Sequence, residues 1–166
     1  MPTVLSLSFD SNISPSLAAL QERLSLDEAQ LMKIVNRLPS VLALSFELNV
    51  APSLAALQDR LSLSDEQLRK VVVALPSVLS YSFEVNIAPK LIFLQEELNL
   101  SDGDLRERVV TSPNLLSYSL EKRYRPRLKA CRAAGFDGMR VFSMITRSDI
   151  VFYESIGTPL PGTPLL

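Results

Sequence analysis

The residues best suited to chemistry in this 166-residue chain are cationic, and most crowd into one stretch, Glu121–Arg132, which reads E-K-R-Y-R-P-R-L-K-A-C-R. On a helix, Leu120, Tyr124, Leu128 and Cys131 share an apolar stripe. Lys122, Arg125, Lys129 and Arg132 then line one flank, and Arg123 and Arg127 the other. Such a row meets successive phosphates, and arginine's planar fork suits bidentate contact to a phosphate or a guanine edge. Arg140 and Arg147, in the following helical pattern, extend the row. Tyr124 and Cys131 lie on the apolar stripe, so they read as core rather than as a stacking platform and a nucleophile.

Other chemistry has little to work with. The chain has no histidine, which removes Ser-His-Asp and Cys-His catalysis, His-ligated metals and a His proton shuttle. A single cysteine forms no internal disulfide and no thiolate zinc site. The first 102 residues contain no glycine, so no phosphate-cradling loop is present there. Glu96, Glu97, Asp102, Asp104 and Glu107 form an acidic group that reads as a solvated face, because hard cations need a shaped oxygen-lined loop. No apolar run approaches the eighteen residues of a membrane span, and the first residues resemble neither a signal peptide nor an Arg-rich transit segment. These features predict a protein that is not an enzyme, with no cofactor and no metal.

The elements that carry the basic row follow from the prolines. Eight of eleven fall on two combs of one period: Pro2, Pro39, Pro76 and Pro113, and Pro15, Pro52, Pro89 and Pro126, each 37 residues apart. A fixed period in this range marks a repeat array. The units are 1–37, 38–74, 75–111 and 112–147, with the start of a fifth at 148–154, where Asp149 stands in place of proline. Together they make one domain, 1–154, followed by a Pro/Gly-rich tail, 155–166. Unit four loses about one residue near Ala133–Gly135, after which Val141 matches Leu105 and Ile145 matches Val109. Net charge runs −1, −1 and −3 through the first three units and +4 from Ser112 onward.

Each unit carries two helical patterns. In unit three the first runs from about Asn86 as N-cap to Leu98, with Pro89 in its first turn and Leu91, Leu94 and Leu98 on one face. The second opens on a capping box (Asp27-x-x-Gln30, Ser64-x-x-Gln67 or Ser101-x-x-Asp104) and buries, in unit two, Leu68, Val72 and Leu75. The next comb proline ends it, and Pro-Ser-Val-Leu makes a 3₁₀ link. Glu47, Glu84 and Glu121 sit near helix starts, where a carboxylate favours the dipole. Gly135 and Gly138 mark the turn between the last two helices. Stacking buries the stripes of successive units, so the expected fold is an all-α solenoid of about four units.

The paired prolines, the L-P-x-x-L start, the N-x-x-P-x-L-x-x-L first helix and the S-D-x-x-L second helix resemble the mitochondrial transcription termination factor (mTERF) repeat. The resemblance covers about residues 1–150. It implies a right-handed superhelix of units with two α-helices and a short 3₁₀ helix. It further implies a monomer that binds double-stranded DNA or structured RNA in mitochondria or chloroplasts, serving transcription termination, transcription regulation or RNA metabolism. The alternative is a protein-interaction scaffold that docks a partner such as an RNA-modifying enzyme, or a truncated mTERF-like paralogue.

Overall fold

A computed structural model describes residues 14–136 and 138–157. The first part of unit one, with Pro2, and the tail with Pro159, Pro161 and Pro164 lie outside these residues. Nine α-helices are seen among the described residues: α1 Ser14–Leu24, α2 Glu28–Arg37, α3 Ala51–Leu61, α4 Asp65–Ala74, α5 Ala88–Leu98, α6 Asp102–Thr111, α7 Arg125–Ala133, α8 Gly138–Ile145 and α9 Asp149–Ser155. Units two and three each hold two α-helices and a 3₁₀ link, Pro39–Ala43 or Pro76–Ser80, and unit four has its own link at Pro113–Leu116. No strand occurs among the described residues. The Val71–Val73 run lies inside α4, where its Ser64 cap and 3.6-residue spacing override β propensity.

Local chemistry sets the boundaries. Asp27, Ser64 and Ser101 each accept from the amide three residues on, and the side chains of Gln30, Gln67 and Asp104 return the bond. The first helices end in a left-handed residue, Ser25, Ser62 and Asn99, at φ 48–49°. There the Leu63 amide reaches the Gln58 carbonyl at 2.9 Å and Ser62 reaches Asp59 at 3.2 Å, a Schellman closure. In unit four the left-handed residue is Gly135, at φ 78°, only 36 residues after Asn99. The missing residue therefore lies before Gly135, within the first helix of that unit. Gly138 does not extend this turn; it opens α8.

One expectation changes. The N-cap of the first helix is not Asn86 but Ser82, four residues earlier, with Ser45 and Ser119 at the same register. A π turn (Phe46–Val50, Phe83–Ile87, Leu120–Tyr124) runs from each serine straight into the α-helix. Pro52, Pro89 and Pro126 thus lie inside a longer helix rather than at its start. Proline lacks an N–H and its ring clashes with the carbonyl four residues back, so the helix widens ahead of it into i→i+5 bonds. The Ala88 amide accordingly donates to Phe83.

Leu91, Leu94 and Leu98, and Leu68, Val72 and Leu75, are all buried in one continuous core running from Leu20 to Phe152. Between units one, two and three a polar clasp recurs at the repeat period. Arg23 bonds Gln58 and pairs with Asp65 at 3.3 Å, while Gln58 donates to Asp65 at 2.9 Å. Arg60, Gln95 and Asp102 repeat this one unit on. Arg69 and Arg106 reach back to the carbonyls of Ser25 and Ser62.

Two outcomes follow. The hydrogen bonds from Gln58 and Gln95, and then the guanidiniums of Arg23 and Arg60, hold the Asp65 and Asp102 carboxyls below their ordinary value of 3.8. A depressed folded-state pKa stabilises above 3.8 and is lost as pH falls through the folded value. The melting temperature of an Asp65→Asn/Asp102→Asn variant should therefore fall less steeply than wild type on acidification through this range. Second, Ser62→Gly should stabilise by roughly 0.5–1 kcal/mol in urea unfolding, since relief of the left-handed strain exceeds glycine's added unfolded-state entropy.

Candidate nucleic-acid interface

Helix α7 and the π turn before it carry six of the eight candidate cations, but not as two solvent-facing flanks. Tyr124, Leu128 and Cys131 point inward, as their spacing predicts. Tyr124 stacks on Phe93 with centroids 6.1 Å apart and donates its hydroxyl to the Leu115 carbonyl at 2.6 Å. Burial pushes both the Tyr124 hydroxyl and the Cys131 thiol upward, so neither ionises near neutrality.

Arg123 and Arg127 do not line a free flank, which corrects the helical-wheel reading. Both turn against the C-terminal end of α8. Arg127 is 3% exposed. It donates to the Ile145 carbonyl at 3.0 Å and to the Arg147 carbonyl, and it pairs with Asp149. Arg123 also bonds the Ile145 and Arg147 carbonyls and lies 4.1 Å from the Tyr118 ring centroid. These carbonyls are the ones a helix end leaves without intrahelical partners, and cations suit that end of the dipole. The two arginines close α8 and fasten α9 behind it.

The other flank is open. Arg125, Lys129 and Arg132 border a groove of about 220 Å³ with Phe93 and Glu97 of α5. Arg125 bonds Glu121 at 2.9 Å and lies 5.2 Å from the Phe93 ring centroid. Arg132 pairs with Glu97 at 2.7 Å. This pair is the clasp of the earlier units with its charges exchanged: Glu97 stands where Arg23 and Arg60 are, and Arg132 where Gln58 and Gln95 are. Lys122 and Lys129 are exposed and have no acidic partner among the described residues, nor has Arg147. Arg140 lies 5.0 Å from the Phe136 ring centroid. The hairpin through Gly135 puts Arg140 near the Arg132 end of the row, and Arg147, whose carbonyl Arg123 and Arg127 hold, near the Lys122 end.

A family model described as mTERF matches residues 1–153. The chain belongs to the mTERF family. A comparison with curated proteins finds no match. Within this mTERF array, the positions of Lys122 and Lys129 are taken by Leu48 and Ala55 in unit two and by Val85 and Ile92 in unit three. Leu48 is 81% exposed and Val85 82%. The outer line of the first helices is thus apolar in the middle of the protein and basic only in unit four. The acidic group of unit three is divided among other duties: Asp102 sits in a clasp, Asp104 in a cap and Glu97 on Arg132. No group of residues able to hold a metal ion is found among the described residues.

Sequence reasoning missed the inward role of Arg123 and Arg127, although one signal was present. Arg127 shares its register with Ser16, Ser53 and Lys90, and Lys90 is buried too. That register faces the next unit.

The division yields a measurable contrast. Arg127→Ala removes the buried guanidinium with its bonds to the Ile145 and Arg147 carbonyls and its pair with Asp149, opens a cavity, and should cost about 3 kcal/mol in chemical unfolding. Lys122→Ala and Lys129→Ala should stay within about 0.5 kcal/mol of wild type.

Proposed function

We propose that this mTERF protein binds nucleic acid, double-stranded DNA or structured RNA, through the exposed cations of its fourth unit. The supporting observation is the row Lys122, Arg125 and Lys129 along one helix flank, in a segment of net charge +4 that follows three acidic units. Cations at i, i+3 and i+7 lie on one face over about one helical pitch each, which suits consecutive backbone phosphates. Arg132, Arg140 and Arg147 extend the row, whereas Arg123 and Arg127 hold it in shape. Affinity then comes mainly from counterion release, with no base-specific term required. The family resemblance points to a role in transcription termination, transcription regulation or RNA metabolism in a mitochondrion or chloroplast, with the protein acting as a monomer and not as an enzyme. No helix among the described residues is long and apolar enough to cross a membrane.

A second reading has its own observation. Leu48, Val85 and Ile92 expose an apolar strip on units two and three, which favours a protein partner there. Such a partner would stay bound at high salt and after nuclease treatment.

Gel shifts at low salt with duplex DNA and hairpin RNA test the main reading. Three to six phosphate contacts predict that log K falls against log salt with a slope of about −3 to −5 on duplex DNA. Each of Lys122→Glu, Arg125→Glu and Lys129→Glu should lower affinity about tenfold or more and reduce that slope by about one. Absence of binding to both probes at low salt would overturn the proposal.

A further inference from the structure

Lys90 differs from the other cations. It is 6% exposed, and its Nζ donates to Asn86 Oδ1 at 2.6 Å and to the Leu116 carbonyl at 2.7 Å. Nζ also lies 5.3 Å from the Tyr81 ring centroid. All three partners are neutral, and no carboxylate pairs with Lys90 among the described residues. An ammonium has three donors, and burying one without a counter-ion is costly. Desolvation accordingly lowers its pKa. The register mate in unit four, Arg127, is equally buried but has Asp149. Asp149 stands where the preceding unit has Pro113, so Lys90 has no acid at the equivalent register.

Lys90 also lines an open cleft of about 400 Å³ between units three and four. Val85 and Pro89 form one wall, and Ser117, Ser119, Leu120 and Glu121 the other. The second wall is the N-terminal turn of a helix that continues to Ala133. Its first amides have no intrahelical partner, and its dipole favours negative charge. Ser119 Oγ accepts the Lys122 amide at 3.1 Å, which leaves its own hydrogen to donate. Glu121 opposes an anion, yet its carboxylate is engaged by Arg125. Lys122, the first residue of the exposed basic row, follows directly on this wall.

We propose that the cleft is a phosphate pocket, in which Lys90 and the start of the unit-four helix hold one backbone phosphodiester. The neighbouring phosphates of the same strand then lie along Lys122, Arg125 and Lys129. The inference rests on the nucleic-acid reading above and adds an anchoring point that a count of exposed cations omits. The anion supplies the missing counter-ion, and its oxygens accept from the third ammonium hydrogen and the free amides. Because the cleft is formed by two units, its occupation would also fix the angle between them.

The test follows the Lys90 side-chain signals and the Ser119–Glu121 amides by NMR on the intact chain. The titrants are inorganic phosphate, a duplex DNA oligonucleotide and a hairpin RNA, the last two with hydroxyl ends. Either nucleic acid should move the Lys90 and Ser119–Glu121 signals, and inorganic phosphate should move the same set. Lys90→Met should weaken nucleic-acid binding about tenfold and lower the salt slope by about one. Nucleic-acid binding that leaves Lys90 unmoved overturns the pocket and leaves the functional reading intact. Movement with inorganic phosphate but not with a bound oligonucleotide marks an adventitious ion only and likewise overturns it. Failure of both oligonucleotides to bind overturns the functional reading itself. If Lys90→Met does not fold, the wild-type titration decides.

Discussion

A two-helix unit cannot bury both of its apolar stripes alone, and the rest of the structure depends on that constraint. Leu91 and Leu94 on α5, and Leu68 and Val72 on α4, leave water only because a neighbouring unit lies across them. Each unit therefore needs a successor in fixed register. The register is carried by polar bonds at the repeat period, with Arg23 and Arg60 reaching forward to glutamine and aspartate and Arg69 and Arg106 reaching back to a helix-end carbonyl. These contacts are mostly exposed and individually weak. Their value lies in geometry: only the native register brings each arginine to both a glutamine and an aspartate.

The end of the regular array meets the same constraint with different residues. At the start of the fifth unit Asp149 replaces the comb proline, and α9 begins there where the earlier units have a 3₁₀ link. Arg123 and Arg127 hold that junction by capping α8 and pairing with Asp149, and Phe152 closes the core against the Arg127 guanidinium, 4.4 Å from its ring centroid. The cluster thus divides between two sides of one helix, with Arg123 and Arg127 serving the stack and the open side carrying the row proposed to meet phosphates. Even Arg132, on the open side, belongs partly to the stacking system through its exchanged pair with Glu97. Of the eight candidate cations, Lys122, Lys129, Arg140 and Arg147 have no acidic partner among the described residues, which is why salt dependence is expected to be moderate.

The sequence was informative where the physics is local or periodic. Two proline combs give the unit length, capping boxes give the start of each second helix, and the apolar spacing gives the core. The π turn was hidden because a widened helix uses the same side-chain types as a regular one, so Asn86 looked like a cap when the cap was Ser82. The fate of the arginines was hidden for another reason. A helical wheel assigns a flank to solvent unless a second element covers it, and the element covering Arg123 and Arg127 lies about twenty residues downstream. Lys90 is a further case of the second kind: the stacking of unit four makes it interior, and nothing in its own helix announces that.

On the proposed nucleic-acid reading, affinity and position are set by different parts of the molecule. Units two and three present Leu48, Val85 and Ile92 where unit four presents Lys122 and Lys129, so a polyanion lying along the first helices gains little until it reaches unit four. The acidic surplus of unit three adds repulsion just before that point, and repulsion beside attraction narrows the range of favourable placements. At that boundary lie the Lys90 cleft and the Glu97–Arg132 pair, both built from unit three and unit four together. Any change in the stacking angle at this junction alters the cleft and the basic row at once. On the proposed reading, the packing of α5 against α7 therefore bears on binding in two ways: a Phe93 substitution acts on the row through geometry, whereas a Glu97 substitution also releases Arg132 from its ion pair.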